Sequence, residues 1–206
     1  TYSVGGLILS NSGMITSNYW LSEVYDAQIT NAHKNGDLYI HNINMLTGCS
    51  AGWSLEDLIL KGLPSVNKMI SSLPAKHLST LCNQMVNFLG IMQNEWASAQ
   101  SFAHFDTLLV PFIHQDKLSV KMVSDCLESF IYGINIPSRW GTQAPFSQIT
   151  LDWNVPQEFI NKKAIVAGCE CDFTYGDCQK EMKILHDALF EAVSYTHLTL
   201  PTKRIV

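Results

Sequence analysis

Charge is scarce in this chain. Only 15% of its 206 residues are charged, 13 basic against 18 acidic, for a net charge of −5. No run of lysine or arginine is present that would neutralise a phosphate backbone, so nucleic acid is excluded as a direct partner. Long apolar runs are missing too. No stretch reaches the ~20 uninterrupted apolar residues that a membrane-crossing helix needs, and no basic segment followed by an apolar one opens the chain. The expectation is a soluble, cytoplasmic protein with no membrane partner. The six cysteines (Cys49, Cys82, Cys126, Cys169, Cys171 and Cys178) lack the paired C-x-x-C spacing of a closed zinc site, and no secretion signal accompanies them. They read as reduced thiols, with no metal site expected, even in the segment CECDFTYGDC. What the chain does have is 47% hydrophobic residues, enough for a substantial core of one domain or of part of a larger one.

Both ends look cut. The chain begins at Thr1 without a methionine, and TYSVGGLIL reads as the interior of something longer. From Ser194 onward, SYTHLTLPTKRIV breaks the preceding helical pattern and resembles translated read-through of a sequencing adapter. Residues 1–193 are therefore expected to be the native fragment and 194–206 a non-native tail.

Between the ends the pattern is mixed. Leu21, Val24, Tyr25, Gln28 and Ala32 recur at helical spacing from Ser17 or Asn18, and Asn35-Gly36 supplies a stop. The short β-forming run Asp37–His41 reads as a strand delivering His41 and Asn42 at its end. Ser54 and Asp57 form a capping-box variant ahead of Leu55, Leu58 and Ile59, with Gly62 as the stop. The longest predicted helix spans Pro74–Ala97, roughly 35 Å at the helical rise, with Leu78, Leu81, Met85, Phe88, Leu89, Met92 and Trp96 on one stripe. A further helix runs from Ser119 to Gly133. Ser147, Ile149, Leu151 and Trp153 alternate with Gln148, Thr150 and Asp152 as in a strand, Ala164–Ala167 forms another, and a helix covers about Asp177–Ala192. Helices interleaved with isolated strands predict an α/β fold with crossover connections, helix-rich and suited to part of a large α/β barrel.

The segments GDLYIHN, AGWSLEDLILKGL, PAKHLSTLCNQMVNFLGIMQNEWASAQSFAHFDTLLVPF, NIPSRWGTQAPFSQITLDW and FTYGDCQKEM, in this order over nearly all of residues 2–193, resemble the anaerobic, glycyl-radical ribonucleoside-triphosphate reductases. The resemblance implies the first half of a ten-stranded α/β barrel in a homodimer whose interface helices bind ATP or deoxynucleotide effectors. It implies reduction of ribonucleoside triphosphates, commonly with formate as reductant, through a glycyl and a thiyl radical. A radical-SAM activating enzyme is the implied partner and a structural zinc an implied component of the whole enzyme. The thiyl cysteine, the zinc site and the radical glycine are expected downstream of this chain, so the fragment is expected to be inactive and to carry no cofactor of its own. A formate-lyase-like glycyl-radical enzyme and a non-catalytic nucleotide-binding or dimerisation module are the alternatives.

The resemblance bears on single residues. Family members read Tyr-Cys before Ala-Gly-Trp, whereas this chain reads Cys49-Ser50, so the family cysteine falls on Ser50 and the thiol is displaced by one. In an extended segment that shift turns the side chain to the opposite face. Cys49 is thus a catalytic candidate, with a packed loop thiol as the competing reading, and Ser50 a substrate-side candidate. His41 and Asn42 are substrate-binding candidates from their expected place at a strand end, against a histidine simply bonded to backbone. In SRWGTQAPF, glycine and small polar groups make Thr142 and Gln143 substrate-binding candidates, while Arg139 reads as a structural cation. The polar residues Gln84, Asn87, Gln93, Asn94 and Gln100 lie in the region resembling the family's dimer and effector surface; no effector residue is singled out.

Overall fold

The computed structural model describes residues 12–63, 72–93, 95–96, 98–136 and 146–196. The chain divides into two compact units, Thr1–Cys49 and Ser50–Val206.

In the first unit, helix α1 (residues 12–19) passes into a π-helical turn, Trp20–Val24, and a new helix, α2, spans Ala27–Asn35. The single helix expected here is broken because Asp26 has extended backbone and its side chain accepts from Ile29 N at 2.9 Å. A short acidic side chain that caps a new helix competes with continuation of the old one. Gly36 ends α2 in the left-handed region at φ 84°, a conformation glycine adopts without a Cβ penalty. The strand expected at Asp37–His41 does not form. Leu38 N bonds to Ala32 O and Ile40 N to His33 Nδ1, so the segment folds back on the last turn of α2. β-forming residues become a strand only where a ladder partner is present.

The second unit is built on a parallel sheet. Strands β1 (Ala51–Trp53), β2 (Gln100–Phe102) and β3 (Ser147–Ile149) lie in the order β1-β2-β3. Helices α3 (Leu55–Lys61) and α4 (Leu78–Met92) connect the first pair, and α5 (Phe105–Asp116) and α6 (Val120–Asn135) the second. Helix α7 (Gln157–Ile160) then leads to an antiparallel hairpin of β4 (Lys163–Val166) and β5 (Cys169–Thr174), a 3-10 turn at Tyr175–Cys178, and helix α8 (Gln179–Thr196). Ala167 and Gly168 form the hairpin turn at φ 55° and 76°, a left-handed pair that matches the twist of its flanking strands. Residues 169–174, CECDFT, carry no apolar alternation in sequence and form a strand through their pairing with β4.

The core lies where α4, α5, α6 and α8 meet, with Met85, Phe105, Phe112, Leu127 and Leu185 all fully buried. Ser54 caps α3, its Oγ accepting from Asp57 N at 3.1 Å, as its motif predicts. The long helix is shorter than the Pro74–Ala97 span: α4 begins after His77 and ends at Met92, and Trp96 instead packs edge-on against Trp53 with ring centres 4.9 Å apart. Helix α5 and strand β2 have no counterpart in the sequence reading. Phe105 to Ile113 are all buried, so α5 shows no amphipathic stripe, the signature of a helix enclosed on every side. Helix α8 continues through residues 194–196, past the point where the pattern was expected to break.

Candidate active face and the knot behind it

A buried carboxylate organises the carboxyl ends of β2 and β3. Asp106, in the first turn of α5, has no exposed surface. Its Oδ1 accepts from Thr107 N at 2.9 Å and Asp152 N at 3.0 Å, and its Oδ2 from Trp153 N at 2.9 Å and His186 Nε2 at 2.8 Å. Burying a carboxylate is tolerable only with partners of this kind. Asp152 in turn accepts from Thr107 Oγ1 at 2.6 Å and pairs with His104 Nδ1 at 2.9 Å. His104 and Trp153 both sit at positive φ, 53° and 68°. Such backbone is rare for a tryptophan and persists only where its surroundings over-determine it. Here the surroundings are the Asp106 carboxylate on its N–H and the His186 and Phe190 rings on its indole, at 4.7 and 5.7 Å.

The sheet presents two unlike faces. Trp53, Gln100, Phe102 and Ile149 turn toward the helices; Phe102 is buried and its ring lies 5.8 Å from Phe88 of α4. Gln100 is buried as well, taking Trp53 Nε1 on its carbonyl at 3.0 Å. The intervening residues Gly52, Ser101 and Gln148 share one register across the three strands. Gly52 and Gln148 are exposed and Ser101 half-buried. Strands of parallel sheets are ordinarily apolar on both faces because helices cover both. This row is small, polar and uncharged.

The predicted site residues are distributed unevenly over this frame. In the first unit, Asn42 Nδ2 donates to Cys49 Sγ at 2.8 Å, and Asn42 occupies the left-handed region at φ 52°. Cys49 is half-buried, while His41 is exposed in a turn, its ring 6.2 Å from that of Tyr39. With the 37–41 strand gone, the strand-end argument for His41 and Asn42 falls. Ser50 is exposed and opens the second unit immediately before β1. Thr142, Gln143 and Arg139 lie outside the described residues. Among the other thiols, burial raises Cys82 and pushes Cys178 up to about 12, with Glu181 adding to the latter. Neither is a thiolate near neutral pH. Among the described residues no group of three or more histidine, cysteine or acidic side chains gathers as a metal site.

The knot and the polar row went unread in the sequence. For Asp106 a signal exists, a lone carboxylate inside the apolar run FDTLLVPF. For the row there is little, because three-residue strands are too short to display a period of two.

These features define an α/β protein with a short parallel sheet, helices packed on one face and polar groups on the other. A family model for anaerobic ribonucleoside-triphosphate reductase matches residues 1–197, and the chain belongs to that family. Solved structures agree in fold. The anaerobic ribonucleotide reductase of Thermotoga maritima with dATP bound in the specificity site aligns at TM-score 0.70 and 21% identity, over 91% of this chain and 34% of that one. The same organism's enzyme in complex with dATP and CTP aligns at 0.68 and 21%, with the same shares covered. A further anaerobic ribonucleotide reductase aligns at 0.69 and 23%, over 90% of this chain and 32% of that one. The chain thus spans about a third of the length of these relatives. Comparison with curated proteins returned no sequence match. Among the described residues no helix is long and apolar enough to cross a membrane.

Proposed function

We propose that this chain is part of the catalytic subunit of an oxidoreductase that converts ribonucleoside triphosphates to 2′-deoxyribonucleoside triphosphates. The observation that carries the reading is the family match over residues 1–197, joined to a parallel sheet with a polar face. On this reading the three parallel strands belong to the first half of a ten-stranded barrel. The substrate lies against the polar face, and Cys49, with Asn42 on its sulfur, is the candidate catalytic thiol. Glycyl and thiyl radical chemistry, formate as reductant, a structural zinc and activation by a radical-SAM enzyme belong to the longer protein, in the two thirds of the relatives' length that this chain does not span.

The polar face of α4 supports a regulatory and dimer-forming role for that helix. Gln84 is 3% exposed, donates to Ser72 Oγ and Leu73 O, and leaves its Oε1 buried without a hydrogen-bond partner. With Thr80, Asn83 and Asn87 it lines a cavity of about 440 Å³. A buried orphan acceptor is costly and is relieved by a donor on a ligand or a partner subunit, which accords with a homodimer binding ATP or deoxynucleotide effectors.

Two measurements test the reading. Equilibrium dialysis of the chain against ATP and dATP is expected to show binding. Incubation with activating enzyme, formate and ribonucleoside triphosphates is expected to yield no deoxynucleotide. Binding of neither nucleotide would overturn the assignment for this chain, and turnover would overturn the inference that essential parts lie elsewhere.

A further inference from the structure

The row Gly52, Ser101 and Gln148 has a chemistry of its own. Each residue occupies the middle of its strand, and their register is direct: Gly52 pairs with Ser101 and Ser101 with Gln148. An apolar partner layer would call for valine, isoleucine or leucine at these positions. Instead the row offers a bare backbone, a hydroxyl and a carboxamide. Ser101 Oγ lies 3.5 Å from Ala51 O, and its hydroxyl can both donate and accept. Gln148 both donates and accepts. No charged side chain belongs to the row, which makes it a poor seat for phosphate, a group held by cations or clustered N–H donors.

From this we infer that Gly52, Ser101 and Gln148 form a specificity row that reads the hydroxyls of a ribose. The inference rests on the nucleotide substrate proposed above and assigns residues to it. Neutral donors and acceptors match sugar hydroxyls, which themselves donate and accept. The glycine lets the sugar approach the strand backbone closely. Among the described residues a Cβ built on Gly52 would meet only Ser101 Oγ, at 3.5 Å, an ordinary van der Waals distance. The fold therefore does not require glycine there; a bound ligand would.

That separation supplies the test. Gly52→Val adds a β-branched side chain that suits a strand while standing in the space a sugar would fill. Binding of CTP, a ribonucleotide outside the effectors assigned to α4, and of 2′,3′-dideoxyCTP to the 206-residue chain is measured by calorimetry, with thermal unfolding of each variant as the folding control. The unaltered chain is expected to prefer CTP. Gly52→Val is expected to unfold at an unchanged or higher temperature and to bind CTP at least about tenfold more weakly, as inserted bulk does in a fitted site. Ser101→Ala and Gln148→Ala are expected to remove several-fold of the preference for CTP and leave dideoxyCTP binding unaltered. If the unaltered chain binds neither CTP nor ATP, the proposed function and the row fall together. If it binds ATP but not CTP, if Gly52→Val and Ser101→Ala bind CTP as well as the unaltered chain, or if dideoxyCTP binds as tightly as CTP, the row alone is overturned.

Discussion

Asp106 shows how one side chain carries the architecture around it. It sits in an apolar helix with no exposed surface, yet four different N–H groups converge on its two oxygens. Two of those donors belong to the turn that follows β3, so the carboxylate fixes where that strand stops and forces Trp153 into the left-handed region. Removing it strands the imidazole of His186, itself 8% exposed, and frees the backbone of residues 152 and 153. Asp106→Ala is expected to destabilise the fold by about 3–5 kcal/mol, as does breaking a buried pair by deleting one partner. Urea unfolding followed by circular dichroism checks it; a loss of under about 1 kcal/mol would show that the knot is ornamental. Asp106 was legible only as an oddity in FDTLLVPF, because its four donors come from positions 1, 46, 47 and 80 residues away.

At the scale of elements, the close approach of α4 and α6 turns on a glycine. A Cβ on Gly133 would come within 2.8 Å of Val86 Cγ2 and 3.1 Å of Cγ1. Glycine costs a helix interior roughly 1 kcal/mol relative to alanine, so its presence inside α6 is offset by tighter packing. Gly133→Ala alone is expected to gain nothing or to destabilise, and Val86→Ala alone to lose packing. The double variant is expected to exceed the sum of the two by about 1 kcal/mol, a coupling typical of residues in contact. Chemical denaturation of the four proteins completes the cycle, and strict additivity would refute the contact. The same scale explains why some elements were legible and others were not. Helix α6 was legible by its bounds at Ser119 and Gly133, and Ser119 caps it, its Oγ accepting from Met122 N at 3.4 Å. Helix α5 hides in a wholly apolar run and holds Pro111 in its interior, a residue that reads as a break even though burial on every side keeps the helix intact.

For the molecule as a whole, buried acidic groups with raised pKa set an alkaline limit. Burial is the leading cause at Cys82, Cys178 and Tyr175, with Glu56 acting further on Tyr175 and Glu181 on Cys178. Each group gives up its proton more readily in the unfolded chain, where ordinary thiol and phenol values apply. Above pH 9 the unfolded state therefore binds fewer protons than the folded state, and stability falls as pH rises. The contribution of Cys178 is intact below pH 9 and is lost as pH climbs toward about 12. Thermal unfolding measured at intervals from pH 7 to 11 is expected to show a midpoint that declines past 9, more gently in Cys178→Ala. A midpoint flat to pH 11 would contradict the burial of these groups.

The sequence alone determined the family, through long stretches kept in order, and the broad α/β class, through helical periodicity, the Ser54 cap, the helix start at Ser119 and the alternation from Ser147 to Trp153, of which Ser147–Ile149 pairs as a strand. These are local signals, carried by spacing and by side chains that reach their own backbone. Tertiary structure decided that Asp37–His41 is a turn and Gln100–Phe102 a strand, because a strand exists only through its ladder partner. It also gathered His104, Asp106, Asp152 and His186 into one knot and aligned Gly52, Ser101 and Gln148 in one row. Hydrogen bonds between residues 45 to 80 apart, and a register that spans three strands, are fixed only when the chain has folded.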